Sequence, residues 1–107
     1  MKIKKIKDFK AGWFIGNFEP TILKTSDFEV ALKIHNRDED IAPHRHNRTI
    51  EYNLLTSGEM NVNGSKIEEG DIFIFEKSET CHVQVISEVA KVVCIKVPSN
   101  PDDKEFI

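Results

Sequence analysis

The 107-residue chain has few cysteines, no surplus of positive charge and no long apolar run, and each shortage removes a class of protein. Two cysteines, Cys81 and Cys94, are too few for a disulfide framework. Cys94 lies in an apolar run where a free thiol behaves as a small hydrophobe, so both are read as reduced. Fifteen basic residues stand against eighteen acidic ones, a formal charge of −3, which gives binding of a phosphate backbone little electrostatic support. Nucleic acid is therefore not an expected partner. No apolar run approaches the roughly 20 residues of a membrane-spanning helix, and the N-terminus lacks the apolar centre and cleavage site of a secretory signal. The expected location is the cytoplasm, without membrane contact. Lys2, Lys4, Lys5, Lys7 and Lys10 are read as a solvated edge segment.

Also missing is any sustained helical period. Short β-like segments recur instead, between turn residues. With 39% apolar and 31% charged residues, the chain has enough apolar surface to fold as one domain over 1–107, with a core at about 10–97. Residues 28 to 34 alternate, placing Phe28, Val30, Leu32 and Ile34 on one face and Glu29, Ala31 and Lys33 on the other, as a half-buried strand requires. A second strand is expected over 50 to 57. Asn63-Gly64 marks a two-residue hairpin turn. Ile72 to Phe75, after Gly70-Asp71, reads as a strand covered on both faces, and further strands are expected at 82 to 86 and 91 to 97. Beyond Val97 the run Pro98-Ser99-Asn100-Pro101-Asp102-Asp103 cannot continue a sheet, so 98–107 is expected to be a surface tail. About eight strands suit one closed or nearly closed antiparallel barrel.

The chemistry concentrates in Pro43-His44-Arg45-His46-Asn47-Arg48-Thr49-Ile50-Glu51. In extended chain, residues two apart project to one face, so His44 and His46 can present two imidazoles to one point. Glu51 has the other parity. A turn or bulge at Asn47-Arg48-Thr49 would reset the register, after which Glu51, Asn53 and Leu55 share a face and the three donors converge. Imidazole and carboxylate bind borderline transition metals and leave coordination positions open.

His44-x-His46, four residues, Glu51, six residues, Gly58 resembles the first motif of the cupin superfamily, with Asp38 where that motif has its leading glycine. The second cupin motif is matched by Gly64, Gly70-Asp71 and His82. Its turn is not: Glu76-Lys77-Ser78-Glu79-Thr80-Cys81-His82 lacks both Pro and Gly and runs one residue longer. The resemblance covers residues 43 to 82. It implies an all-β, single-domain cupin fold, the double-stranded β-helix or RmlC-like jelly roll. It also implies one divalent transition metal (iron, manganese, zinc or nickel) on His44, His46, Glu51 and His82, and a homodimer.

Asn53 and Gln84, two residues from Glu51 and His82, are expected to face the same interior and to touch a small-molecule ligand, and Arg48 could meet an anionic substrate at the mouth. Cys81 is left outside the site because its neighbour His82 is placed within it. His35 reads as an exposed loop residue, and Trp13 and Phe14 as core. Cupin resemblance implies no single reaction. The leading expectation is a metal-dependent enzyme acting on a sugar or oxoacid derivative, of isomerase, lyase or dioxygenase type. The alternatives are a non-enzymatic metal-containing binding module and a metal-free sugar-nucleotide epimerase using a histidine base and a tyrosine acid.

Overall fold

A computed structural model describes all 107 residues, Met1–Ile107. Two 3-10 turns, Ile6–Asp8 and Lys10–Gly12, lead into eleven strands: β1 Trp13–Ile15, β2 Glu29–Asn36, β3 His44–Arg45, β4 Ile50–Ser57, β5 Met60–Val62, β6 Ser65–Ile67, β7 Ile72–Phe75, β8 Thr80–Cys81, β9 Val83–Val85, β10 Val89–Val97 and β11 Glu105–Phe106. No helix is long and apolar enough to cross a membrane. The strands form a five-stranded sheet in the order β1-β2-β10-β4-β7 and two three-stranded sheets, β11-β3-β8 and β6-β5-β9. All the pairings within these ladders are antiparallel, and the three hydrogen-bond ladders remain separate.

The local expectations hold where they rest on turn chemistry. The hairpin joining β5 and β6 turns on Asn63 at φ 49° and Gly64 at φ 82°, the pair of positive angles a two-residue turn of this hand requires. Strand β4 begins at Ile50 after the break at 47–49, and Glu51, Asn53 and Leu55 are all buried.

Strand β2 alternates as expected, but its faces are the other way round. Glu29 and Ala31 are buried (2% and 0% exposed), whereas Ile34 is 50% exposed. The reason lies in the neighbouring strands. The inner face of the large sheet runs in rows Glu29–Lys96–Glu51–Phe75 and Ala31–Cys94–Asn53–Phe73, a mixed polar wall. The outer face runs Leu32–Val93–Leu54–Ile72 and Val30–Ile95–Tyr52–Ile74. Strand β7 is therefore not covered on both sides, since Ile72 and Ile74 are 69% and 46% exposed.

The apolar core, in which Leu55, Met60, Val62, Phe75, Cys81, Val85, Ala90 and Val92 pack together, borders the histidines and Glu51 through Cys81 and Phe75. Val97 does end the long strand, but the tail is more than surface. It returns as β11 to pair with β3, Ser99 is buried, and the Asn100 N–H donates to Glu29 at 2.8 Å.

Candidate metal centre

Strand β3 and the turn after it carry the two histidines to the inner wall. His44 and His46 are 9% and 3% exposed, with ring centroids 5.2 Å apart. Each ring is fixed through Nδ1. His44 bonds the carbonyl of Ala42 at 2.9 Å, and His46 bonds that of Asp103 at 2.8 Å. A carbonyl can only accept, so each Nδ1 carries the proton and each Nε2 is left as a lone-pair donor. That is the tautomer a metal needs.

Burial lowers the pKa of His46 to about 4, helped by the ammonium of Lys96 and opposed by Glu51. Burial lowers that of His44 as well, against the Ala42 bond. Both rings are thus neutral near pH 7. His46 Nε2 is fully buried and has no hydrogen-bond partner.

Glu51 comes from β4, across the turn. Its Oε1 lies 3.6 Å from His46 Nε2 and 3.8 Å from Lys96 Nζ, while Asn53 Nδ2 donates to its Oε2 at 3.2 Å. Two donors that each bind one ion at about 2.1 Å stand roughly 3–3.5 Å apart, so the His46–Glu51 pair already has nearly that spacing. No three His, Cys, Asp or Glu side chains converge on one point as they stand. His44 lines the same cavity, with its ring centroid 5.2 Å from that of His46.

The turn that resets the register is clamped from a distance. Asp103 accepts the N–H of Asn47 at 3.0 Å and of Arg48 at 2.7 Å, while its own carbonyl holds His46. Burial opposes ionisation of Asp103, but these bonds outweigh it and hold its pKa low. Sequence reasoning missed this residue because 57 positions separate it from His46, and nothing local announces the contact.

The fourth expected donor is corrected. His82 is exposed, and its N–H is tied to Asn63 Oδ1 at 2.8 Å, whereas Cys81 is 1% exposed, pairs with His44 across β3 and β8, and lines the cavity. A shift of one residue exchanges the two faces of a strand, and the turn before His82 is one residue longer than the motif it resembles. Burial pushes the Cys81 thiol up to about 12, and its Sγ donates to the carbonyl of Glu79, so it remains protonated within the apolar core.

Gln84 is likewise exposed, which removes it from the interior. Arg48 is exposed on an outer depression with Asn47, Asn100 and Asp102, away from the cavity, and contributes its backbone N–H instead. Asn53 is where it was expected. His35 is the last inward residue of β2 and pairs with Glu39 at 2.6 Å on the cavity rim. Trp13, expected in the core, lines the cavity as well.

The cavity encloses about 630 Å³ and runs from the histidines past Asn53, Phe73 and Cys94 to Trp13 and Phe18. Its size suits a small metabolite.

No family model matches the chain, and no curated protein is similar to it at a significant level. Solved structures are similar in shape. An uncharacterised protein with a double-stranded β-helix domain from Klebsiella pneumoniae has a TM-score of 0.71 at 19% identity, covering 98% of this chain and 90% of that one. An RmlC-like cupin with a double-stranded β-helix fold from Methanocaldococcus jannaschii has a TM-score of 0.60 at 17% identity, covering 70% and 73%. The DMSP lyase DddQ from Ruegeria pomeroyi has a TM-score of 0.73 at 10% identity, covering 88% of this chain but only 49% of the lyase.

Proposed function

We propose that this chain, whose fold is the double-stranded β-helix of the cupins, is a metal-dependent enzyme acting on a small polar metabolite. His44, His46 and Glu51 are the residues to hold one divalent transition metal. The observation that carries this reading is His46: its Nδ1 is locked on a backbone carbonyl while its buried Nε2 has no partner. Leaving a buried acceptor unsatisfied costs about 1–3 kcal/mol, and a metal bound there would remove that cost.

A metal with open positions polarises a carbonyl or lowers the pKa of bound water. The chain's own residues do the rest. Asn53 holds one oxygen of Glu51 and leaves the other toward His46. Asp103 fixes the tautomer of His46. Phe73, Phe75 and Val92 line the cavity with apolar surface that limits water beside the donors. Three protein donors leave room for substrate, as in open catalytic sites. The metal-free epimerase reading is not retained. Tyr52 is the only tyrosine of the chain, and it lies on the outer face, 39% exposed.

Elemental analysis of protein purified without added chelator tests the proposal. About one equivalent of metal is expected, falling below a tenth in His44→Gln/His46→Gln protein that keeps its β-sheet circular dichroism. Stoichiometric metal in that variant would overturn it, as would no metal in the parent after incubation with zinc, manganese or iron(II).

The proposed partner is a second copy of the chain, seated on the outer face of the large sheet. Two apolar rows across four strands offer a flat surface for face-to-face sheet packing. A net charge of −3 gives two copies little mutual repulsion.

A further inference from the structure

The histidines and Glu51 form one part of the cavity wall, and the part around Trp13, which Lys96 joins to Glu51, has a different chemistry. Lys33 and Lys96, on neighbouring strands, flank the indole of Trp13, with Nζ atoms 5.0 and 4.9 Å from the ring centroid. Ring attraction can hold an ammonium group at an apolar wall without engaging a carboxylate. Lys33 forms no ion pair at all. Its one hydrogen bond goes to the carbonyl of Ala11 at 3.2 Å, and burial draws its pKa below the usual lysine value.

Most of the acids around the cavity are already engaged. Glu39 holds His35 at 2.6 Å, Glu19 pairs with Lys24 at 3.5 Å, and Glu29 accepts the Asn100 N–H at 2.8 Å. Asp40 is exposed at the mouth. Lys96 stands between Glu29 and Glu51 in one cross-strand row, with its closest carboxylate contact the loose 3.8 Å to Glu51, assigned above to the metal, so Lys33 is the ammonium that lacks a carboxylate partner. A half-buried ammonium without a counter-charge is costly to desolvate and recovers that cost when an anion arrives.

From this arrangement we infer that the Trp13 part of the cavity is an oxyanion subsite. Lys33 and Lys96 receive a carboxylate or phosphate group of the metabolite whose other oxygens face the histidines. The inference rests on the metal reading for the second half of that statement and stands without it for the first. Lys33 is the specificity-determining residue. It is two residues beyond Ala31 on β2 and touches none of the donors assigned to the metal.

Trp13 is the only tryptophan in the chain, so its emission reports on this part of the cavity. The experiment titrates the full-length protein with 2-oxoglutarate, glucose 6-phosphate and glucose, as purified and after chelator treatment, with calorimetry alongside. Metal content is measured on the same samples. Saturable binding of at least one of the two anions is expected, with glucose at least tenfold weaker. Lys33→Met should weaken the bound anion about tenfold or more at unchanged metal content, and Lys33→Arg should restore binding to within about threefold, as a charge-assisted contact requires.

Binding of 2-oxoglutarate alone, or of glucose 6-phosphate alone, identifies carboxylate or phosphate as the group received. Equal affinity for glucose and glucose 6-phosphate, with no preference for 2-oxoglutarate, would overturn the subsite. So would unchanged anion affinity in Lys33→Met, or no binding of either anion. If the Met variant does not fold, Lys33→Gln takes its place under the same criteria. Metal present with no anion binding removes the subsite and leaves the metal reading intact. Anion binding lost with Lys33 in protein that never takes metal removes the metal reading and leaves the subsite.

Discussion

Two backbone carbonyls, those of Ala42 and Asp103, decide what His44 and His46 can do, because each takes the Nδ1 proton and turns Nε2 inward. At the scale of single residues, the outward position of His82 and the protonated state of Cys81 give a direct expectation. His82→Ala and Cys81→Ser should each retain about one equivalent of metal, whereas His46→Gln should lose affinity by a hundredfold or more, measured by competition with a chromophoric chelator. Loss of metal in His82→Ala would contradict the placement of that strand.

His46 also makes the metal-free protein sensitive to acid. Its pKa is about 4 in the fold and ordinarily 6.5, so between those values the unfolded chain binds a proton that the native chain refuses. Stability from this group is full above 6.5 and falls as pH drops toward 4, by at most about 3 kcal/mol. Urea midpoints of chelator-treated protein should therefore fall across that window, and less steeply in His46→Gln.

At the scale of elements, the turn between β3 and β4 is held by the C-terminal segment. Removing the Asp103 carboxylate frees two N–H groups that water can reach, so Asp103→Ala should cost only about 1–2 kcal/mol of stability. Its effect on the metal should be larger, a tenfold to hundredfold loss of affinity, since groups that orient a ligand set its basicity and direction. Unchanged metal affinity would show that the tail merely covers the site.

Gly58 and Gly64 separate two reasons for a glycine. A Cβ at Gly58, where φ is +97°, would lie 2.4 Å from the Val89 carbonyl oxygen, and that backbone cannot give way. At Gly64 a Cβ would meet nothing within 4 Å, and only the φ of +82° matters. Gly58→Ala should destabilise by about 3 kcal/mol or more, or prevent folding, while Gly64→Ala should cost about 1 kcal/mol in thermal or urea unfolding.

At the scale of the whole molecule, the large sheet is layered in an unusual order, polar within and apolar without. Ile34, Tyr52, Leu54, Ile72, Ile74, Ile95 and Val97 are each more than a third exposed on that outer face. Four strands spaced about 4.8 Å apart and two rows of outward residues about 7 Å apart span a footprint on the order of 300 Å². A patch of that size is one a monomer can also leave open, about 300–600 Å², and is less than half of the roughly 800 Å² on one side of a standard interface, so a dimer would have to bury the polar rim as well. Light scattering should give twice the mass of one chain. Leu54→Lys/Ile72→Lys should reduce it to one chain without loss of metal, because neither side chain faces the cavity. A monomeric parent would rule the interface out.

The sequence by itself determined the local features. The Asn63-Gly64 hairpin, the alternation of β2 and β4, the end of β10 at Val97 and the shared side of His44, His46 and Glu51 all follow from rules acting within a few residues. Alternation divides a strand into two faces without saying which one is inside. Only the tertiary structure decided that Glu29, Lys33 and His35 face the cavity while Ile34 faces out, since the label depends on what the other strands set opposite. The same holds for Cys81 in place of His82, where one added turn residue exchanged the two sides. It holds again for Asp103, whose bond to the 46–48 turn exists only because β11 folds back onto β3. A pattern of period two specifies sides, and long-range packing assigns them.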